Sequence, residues 1–169
     1  DIIISDDGLQ HYKMNRDIEI VVIDGKRRFG NNLTFPAGPL RESKARLNSV
    51  DFIVNNSGPT DEGEYLMSVS PSRFVHLKSG KSYPIEGWPM HKQVHAVAGL
   101  GNPGRFFDLL ARLGFDIIRH PFQDHHNFLE QDIYYLDHLP IVMTEKDASK
   151  CKDFDNNKIW YLTIEADVS

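Results

Sequence analysis

The chain has 169 residues, of which 40% are hydrophobic and 25% are charged, and its formal net charge is −5. This length is enough for one domain or two small ones with a buried core, and the acidic balance gives no global basic field that would favour a nucleic-acid partner. The single cysteine, Cys151, excludes an internal disulfide and a cysteine-based zinc cluster. The composition is typical of a soluble protein, and no apolar run approaches the roughly 20 residues that a membrane helix needs.

The chain opens on three isoleucines at residues 2–4, which are followed by a serine, two acids and a glycine. This pattern predicts a buried strand of a parallel sheet that runs into a loop at its carboxyl end, where α/β proteins bind ligands. Because adjacent carboxylates repel each other, Asp6 and Asp7 would fit a site that they share with a hard cation such as Mg²⁺. A plain polar turn is the alternative. The chain starts inside this predicted strand without a methionine, so we expect the natural protein to continue upstream.

Two further strands of the same sheet are predicted at residues 17–24 and 51–56, and the first is apolar enough to be buried on both faces. Between them, residues 29–43 contain several glycines, asparagines and prolines, which break helices and strands. A loop of this length in a compact domain is usually functional or disordered. Ser43 can then cap a short helix that extends to Leu47.

Arginines in and near this loop are candidates for binding an anion. Arg41 offers a bidentate fork for phosphate, and the neighbouring Glu42 could help to hold a metal or to tie the loop back. Arg27 and Arg28 could bind an anionic substrate in the same way. Exposed arginines that are simply solvated remain the alternative for each of them.

The pattern changes to short, β-rich segments separated by turn residues at residues 63–92, which predicts a twisted antiparallel ribbon between two α/β halves. Gly80-Lys81-Ser82 resembles the end of a phosphate-binding P-loop, but that motif requires a glycine at position 75, which is valine. We therefore reject a P-loop here. The predicted domain boundaries are residues 1–62, 63–92 and 93–169.

The second half alternates strands and helices, which predicts an α/β domain with a βαβ unit. Strands are predicted at residues 94–98, 115–119, 141–143 and 159–164, and helices at residues 105–113, 127–139 and 146–151. Thr144 can cap the last helix, with Asp147 three residues on completing a pair like a capping box.

Gly99, Gly101 and Gly104 match the pattern G-x-G-x-x-G between a predicted strand and a predicted helix, the context of a dinucleotide-binding turn. The acid that should bind the ribose is missing, because Arg119 and His120 occupy the end of the following strand. A non-catalytic dinucleotide- or anion-binding α/β module is the alternative function, and a tight turn with weak anion affinity is the plainer explanation.

A carboxylate and two imidazoles stand together at Asp124, His125 and His126. Metal binding would require a further ligand that this part of the sequence does not offer. A histidine that is polarised by a neighbouring carboxylate and transfers a proton is favoured, and loop histidines with neither role are the alternative.

Six segments occur in a fixed order along the chain: SDDGLQH at 5–11, DIEIVVID at 17–24, PAGPLRE at 36–42, AGLGNPGRFF at 98–107, HPFQDHH at 120–126 and MTEKD at 143–147. Together they resemble segments of the tetraacyldisaccharide 4'-kinase family of lipid A biosynthesis. The resemblance covers essentially the whole chain. The six segments do not include the family's upstream portion, which carries a membrane-associating helix, the P-loop and the acidic residue expected to act as the base.

The resemblance implies a kinase of Gram-negative bacteria that works at the cytoplasmic face of the inner membrane. It would transfer the γ-phosphate of ATP to the 4'-hydroxyl of a tetraacylated glucosamine disaccharide 1-phosphate, with Mg²⁺ as the metal and the membrane surface as a partner. The implied fold is the remnant of a P-loop-type parallel sheet, a β-ribbon connector and a second, smaller α/β domain. Without a P-loop to cradle the phosphates, we expect this portion alone to be inactive.

The resemblance also implies residue roles in the first motif of the chain. Asp6 and Asp7 would be the acids that bind Mg²⁺, directly or through water. Gln10 and His11 would line the active site.

The later motifs receive roles in the same way. Arg41 and Glu42 would contact the phosphate and metal centre or the lipid headgroup. Next to Asp124, either His125 or His126 would pair with the upstream base and help it to accept the proton of the sugar hydroxyl.

Overall fold

Parallel strands joined by short helices and loops give the chain a mixed α/β architecture in a computed structural model that describes residues 1–169. The α/β class predicted from the sequence is confirmed. By contact density the chain divides into unit 1, which is Asp1–Val69 with Ala166–Ser169, and unit 2, which is Ser70–Glu165. The three-part division at residues 62 and 92 stays a prediction. None of the helices combines the length and the apolar character needed to cross a bilayer.

Unit 1 is built on three parallel strands, in the order β1 (Ile20–Asp24), β2 (Phe52–Asn56) and the first part of β3 (Glu64–His76). The two valine- and isoleucine-rich runs pair in register over five residues. A 3-10 helix at Lys44–Ser49 precedes β2, and Ser43 stands at its N-cap without a side-chain hydrogen bond. Both predicted strands and the short helix are therefore confirmed.

Two expectations for unit 1 are wrong. Residues 1–5 form no strand, and the side chains of Ile2, Ile3 and Ile4 are at least 90% exposed. An apolar run becomes a strand only when a neighbouring strand accepts its backbone hydrogen bonds, and no backbone hydrogen bond holds this segment to β1. The prediction that β1 is buried on both faces is also wrong. Only one of its faces is covered, since Ile23 is buried whereas Val22 is exposed.

Unit 2 contains a parallel sheet of four strands in the order β8, β7, β5, β6. The strands are β5 (Gln93–Ala98), β6 (Asp116–Pro121), β7 (Ile141–Thr144) and β8 (Ile159–Val168), of which the last three residues of β8 belong to unit 1. The helix α1 (Pro103–Arg112) connects β5 to β6, which confirms the predicted strand–helix–strand unit.

The predicted ribbon is one long strand and one short one. The second part of β3 pairs with β4 (Ser82–Pro84) in an antiparallel hairpin. Gly80 lies in the turn of this hairpin with a φ of +67°, a conformation that suits glycine. The segment Gly80-Lys81-Ser82 therefore closes a hairpin, and it does not connect a strand to a helix as a P-loop does.

Apolar side chains cover both faces of the sheet in unit 2. Along β5, Ala96 and Ala98 pack with Phe107 and Leu110 of α1, whereas Val97 belongs to a second cluster on the other face. That second cluster contains residues from the loop after β6 and from α2 (Glu145–Ala148). The second face of the sheet therefore supports the loop that carries the candidate histidines.

The predicted helix at residues 127–139 is wrong, since only the 3-10 turn Glu130–Ile133 forms. Side-chain carboxylates take the place of helical backbone hydrogen bonds. Asp132 accepts the N–H of Leu129, and Asp137 accepts the N–H of Leu139. Such local side-chain acceptors compete with helix formation.

Candidate functional site

Candidate residues occur in both units. In unit 1, the structure brings together four of the predicted residues from two distant motifs. The Arg41 Nη1 atom lies 3.0 and 3.1 Å from the two carboxylate oxygens of Asp7, and it also donates to Gln10 Oε1 at 3.3 Å. The side-chain amide of Gln10 in turn donates to Glu42 at 2.9 Å. Residues 5–11 and 36–42 therefore contribute to one polar network, in which the bonded residues lie 31 to 34 positions apart in the sequence.

This network contributes little to stability. The side chains of Asp7 and Arg41 are 72% and 66% exposed, and an ion pair in such a position is worth about 0–1 kcal/mol. Asp7 also has a positive φ of 50°, a backbone conformation that residues other than glycine adopt at a cost in free energy. Such a conformation in a residue whose side chain is not buried is typical of a functional position.

Asp6 and His11, the other two predicted residues of the motif at residues 5–11, have no side-chain partner. Asp6 is exposed and lies, with the four networked residues, along a cleft of about 1240 Å³. His11 is exposed as well, but it does not line this cleft. Asp6 is therefore available to a ligand in the cleft, and the role of His11 stays a prediction.

The path of the loop at residues 29–43 places Arg41. The Asn31 side chain accepts the N–H of Leu33 and donates to the carbonyl of Ala37. Gly38 packs so closely that a Cβ atom there would lie 2.3 Å from the carbonyl oxygen of Leu33. Only glycine fits this position, so the loop has a defined path up to Arg41.

Arg28, one of the arginines proposed to bind an anion, is already neutralised. Its two terminal nitrogens lie 2.8 Å from the carboxylate of Glu64, and it also pairs with Asp61. The side chain of Glu64 is only 6% exposed. The Arg28 guanidinium, together with the Asp61 N–H and the Asn55 amide, lowers the pKa of Glu64 to about 2. Arg28 is therefore a structural residue of unit 1.

The low pKa of Glu64 makes the stability of the chain depend on pH. Because the folded-state pKa lies below the ordinary value of 4.5, the stabilisation is fully present above about pH 4.5 and is lost as the pH falls towards 2. We expect Glu64→Gln to lower the free energy of unfolding at pH 7 by up to about 3 kcal/mol, and this difference from the wild type to shrink below pH 4. Urea denaturation at several pH values measures it. Glu62→Gln is the matched control, and a Glu64→Gln difference that is constant with pH contradicts the assignment.

In unit 2, the two candidate histidines have different environments. His126 is partly buried; its Nε2 atom lies 3.1 Å from Asp132, and its ring packs against Phe122 and Phe128. His125 is 77% exposed and has a φ of 59°. The structure therefore fixes one imidazole within the fold and leaves the other open to a ligand.

Asp124 does not polarise the neighbouring imidazole. Its carboxylate accepts the backbone N–H of His125 at 3.0 Å, whereas the distance to His125 Nε2 is 3.9 Å, too long for a hydrogen bond. Of the two candidate histidines, His126 is held by a carboxylate, and that carboxylate belongs to Asp132, which sequence reasoning missed. The Leu129 N–H, and after it His126, lower the pKa of Asp132. Its position three residues after Leu129 is the spacing of a capping residue and is the signal that could have identified it.

The glycine turn after β5 has a packing explanation. A Cβ atom on Gly99 would lie 3.2 Å from Asp147 Oδ1 and 3.3 Å from the carbonyl oxygen of Gln123. The backbone must therefore pass close to two other segments at this point. This close approach accounts for the first glycine of the motif without a dinucleotide.

The described residues contain no group of three or more His, Cys, Asp or Glu side chains arranged to hold a metal ion. Asp6 and Asp7 place two adjacent, exposed carboxylates in the cleft as hard oxygen donors. Magnesium is commonly held by one or two protein carboxylates, with water and phosphate supplying the other ligands. The donor set therefore fits Mg²⁺ bound together with a phosphate and does not fit a metal held by protein alone.

Acids and an arginine that line one cleft of an α/β chain are features of a phosphate-handling protein. The family model of the tetraacyldisaccharide-1-P 4'-kinases, LpxK, matches residues 1–169. The chain belongs to this family.

Several relatives carry the name tetraacyldisaccharide 4'-kinase. The one from Ruthia magnifica is 50% identical over 169 residues, which are 100% of this chain and 53% of the relative. The one from Legionella pneumophila strain Corby is 49% identical over 166 residues, which are 98% of this chain and 50% of the relative. The chain therefore spans about half the length of these relatives.

A solved structure has the same fold. The crystal structure of LpxK from Aquifex aeolicus in complex with ATP superimposes with a TM-score of 0.75 at 23% sequence identity. The match covers 96% of this chain and 52% of the other. At this identity the likeness concerns the fold.

Proposed function

We propose that this chain is the C-terminal part of an ATP-dependent kinase that phosphorylates the 4'-hydroxyl of tetraacyldisaccharide 1-phosphate in lipid A biosynthesis. The network of Asp7, Gln10, Arg41 and Glu42 carries this proposal, because it assembles two family motifs at exposed positions where they add little stability. Family membership supplies the reaction. The longer protein would work at the cytoplasmic face of the inner membrane, with the membrane surface as its partner.

Asp6 and Asp7 would hold Mg²⁺ together with phosphate oxygens of ATP. Bound in this way, the metal would neutralise charge on the transferring phosphoryl group. Arg41 now holds the carboxylate of Asp7, and its planar guanidinium fits a phosphate equally well. Gln10 and Glu42 keep the two motifs together through their hydrogen bond, so that the acids and the arginine face the same cleft.

His125 supports the removal of the proton from the sugar hydroxyl. Its imidazole is exposed and its backbone is in the left-handed region, a combination that is common where a side chain must reach a substrate. It can accept the proton itself or hold the carboxylate that does. His126 has the different task of fixing the loop through Asp132, Phe122 and Phe128.

The test uses this chain alone and a hybrid kinase in which it replaces the matching half of the Ruthia magnifica relative. Each is incubated with Mg²⁺, labelled ATP and tetraacyldisaccharide 1-phosphate. We expect the hybrid to transfer the label to the lipid and the chain alone to transfer none, because phosphoryl transfer requires a cradle for the β- and γ-phosphates. A hybrid that folds but is inactive contradicts the proposed function. Activity of the chain alone contradicts the expectation that this part of the kinase cannot work by itself.

A binding measurement on this chain tests the alternative function, a non-catalytic dinucleotide-binding module. Calorimetric titration of the chain with NAD is expected to show no binding, since packing accounts for Gly99. Saturable heat on titration with NAD that is lost in Gly101→Val would favour a dinucleotide-binding module.

A further inference from the structure

The glycine turn at residues 99–104 and the segment at residues 143–147 contribute no residue to the reaction proposed above. Asp147, at the end of that segment, is fully buried, which is rare for a carboxylate unless it is paired. It accepts hydrogen bonds from the Thr144 hydroxyl at 2.8 Å and from the Gly99 N–H at 2.9 Å. It therefore joins the start of α2 to the start of the glycine turn.

Lys150 extends this contact to the histidine loop. Its ammonium lies 3.3 Å from Asp147 Oδ1 and donates to the carbonyl oxygen of His126 at 3.0 Å. It also lies 5.6 Å from the centre of the Phe128 ring. One cation therefore bridges a buried carboxylate and the backbone of the loop, and charge-assisted hydrogen bonds of this kind are among the stronger ones in proteins.

The close packing at Gly99 adds a third contact. A Cβ atom there would meet Asp147, the carbonyl oxygen of Gln123 and the ring of Phe128, all at 3.2 to 3.3 Å. By contrast, the nearest neighbour of a Cβ atom at Gly101 would be Asp124 at 3.4 Å, which is an ordinary contact. The glycine turn, the loop at residues 122–128 and α2 therefore meet around Asp147.

We propose that Asp147 and Lys150 are positioning residues of the kinase reaction, because they clamp the backbone of the loop on which His125 projects. This inference rests on the proposed function for its catalytic part. The clamp holds the backbone of His126, the residue after His125, and leaves the exposed His125 imidazole free. A shift of about 1 Å in a reacting group can cost up to about 100-fold in rate, so a clamp remote from the chemistry can control it.

The first test uses the chain itself and measures amide hydrogen exchange by NMR. The His126 N–H donates to the carbonyl oxygen of Gln123, whereas Lys150 holds the His126 carbonyl oxygen. We expect Lys150→Met to speed exchange at the His126 amide by about tenfold or more, because the loop that contains this turn opens more often without the charge-assisted hydrogen bond. Lys150→Arg is expected to restore most of the protection. Lys152→Met, which removes an exposed lysine two residues away, is the matched control. Gly99→Ala should act like Lys150→Met, and Gly101→Ala should not. Equal exchange in Lys150→Met and Lys152→Met overturns the clamp.

The second test uses the hybrid kinase. Lys150→Met is expected to lower kcat by about 10-fold or more while the KM for ATP changes little, and Lys150→Arg is expected to recover most of the rate. Faster exchange with an unchanged kcat overturns the positioning role. A hybrid that is inactive even without substitutions refutes the proposed function and the catalytic part of this inference, whereas the exchange data still decide whether the clamp exists.

Discussion

His125→Ala in the hybrid kinase is expected to lower kcat by about 10² to 10⁴-fold with little change in the KM for ATP, as for the loss of a group that takes part in proton transfer. The side chain makes no contact that the fold depends on, because it is 77% exposed and lies 3.9 Å from its nearest carboxylate. The thermal unfolding midpoint should therefore stay close to that of the wild type. Steady-state kinetics and a melting curve measure both quantities.

His126→Ala provides the matched comparison. It removes the contact with Asp132 and the packing against Phe122 and Phe128, so we expect a loss of about 1–2 kcal/mol in stability and a smaller loss of kcat. If His126→Ala abolishes activity while His125→Ala leaves it intact, the two histidines have been assigned the wrong way round.

Asp6→Asn and Asp7→Asn are expected to reduce kcat of the hybrid by at least about 100-fold, since a bound metal ion contributes several kcal/mol to phosphoryl transfer. The Mg²⁺ concentration for half-maximal activity should also rise. Asp6 has no protein partner, so its substitution should not change the stability of the chain. Asp7 pairs with Arg41 on the surface, and its loss should change the stability by less than about 1 kcal/mol.

Glu62→Gln is the control, because it removes an exposed carboxylate of the same unit that does not line the cleft. It should leave both kcat and the Mg²⁺ requirement unchanged. Equal effects of Asp6→Asn and Glu62→Gln would show that general charge, and not metal binding, explains the loss. That outcome would contradict the role of the acids.

The strands could be predicted from the sequence wherever an apolar run is bounded by turn residues and has a neighbour in the sheet. This holds for β1, β2 and the four parallel strands of unit 2. It failed at Ile2, Ile3 and Ile4, which have the same composition but no paired backbone. The local sequence indicates the tendency of a segment to form a strand. Whether the strand forms depends on a neighbouring strand that comes from another part of the sequence.

The predicted helix at residues 127–139 failed for a different reason. Its apolar residues have suitable spacing, but Asp132 and Asp137 bond to nearby backbone N–H groups and so stabilise turns. Conversely, Thr144 was predicted as a cap and does accept the N–H of Asp147. Short-range capping can therefore be identified from spacing, while the competition between side chain and helix depends on the folded backbone.

The candidate residues could be identified one motif at a time, but their contacts could not. The pairing of Asp7 with Arg41 spans 34 residues and depends on the path that Asn31 and Gly38 impose on the loop. Likewise, the sequence could not separate His125 from His126, because the difference between them comes from the hydrogen bond of His126 to Asp132 and from ring packing in the folded loop.

The position of the transferred phosphate tests the proposed function most directly. The lipid product of the hybrid kinase is isolated, and phosphorus–proton coupling in its NMR spectrum identifies the phosphorylated hydroxyl. We predict one new phosphate on the 4'-hydroxyl, formed only with a divalent cation and lost in the Asp6→Asn and His125→Ala variants. Release of inorganic phosphate without a phosphorylated lipid, or the same product at the same rate in both variants, would contradict it.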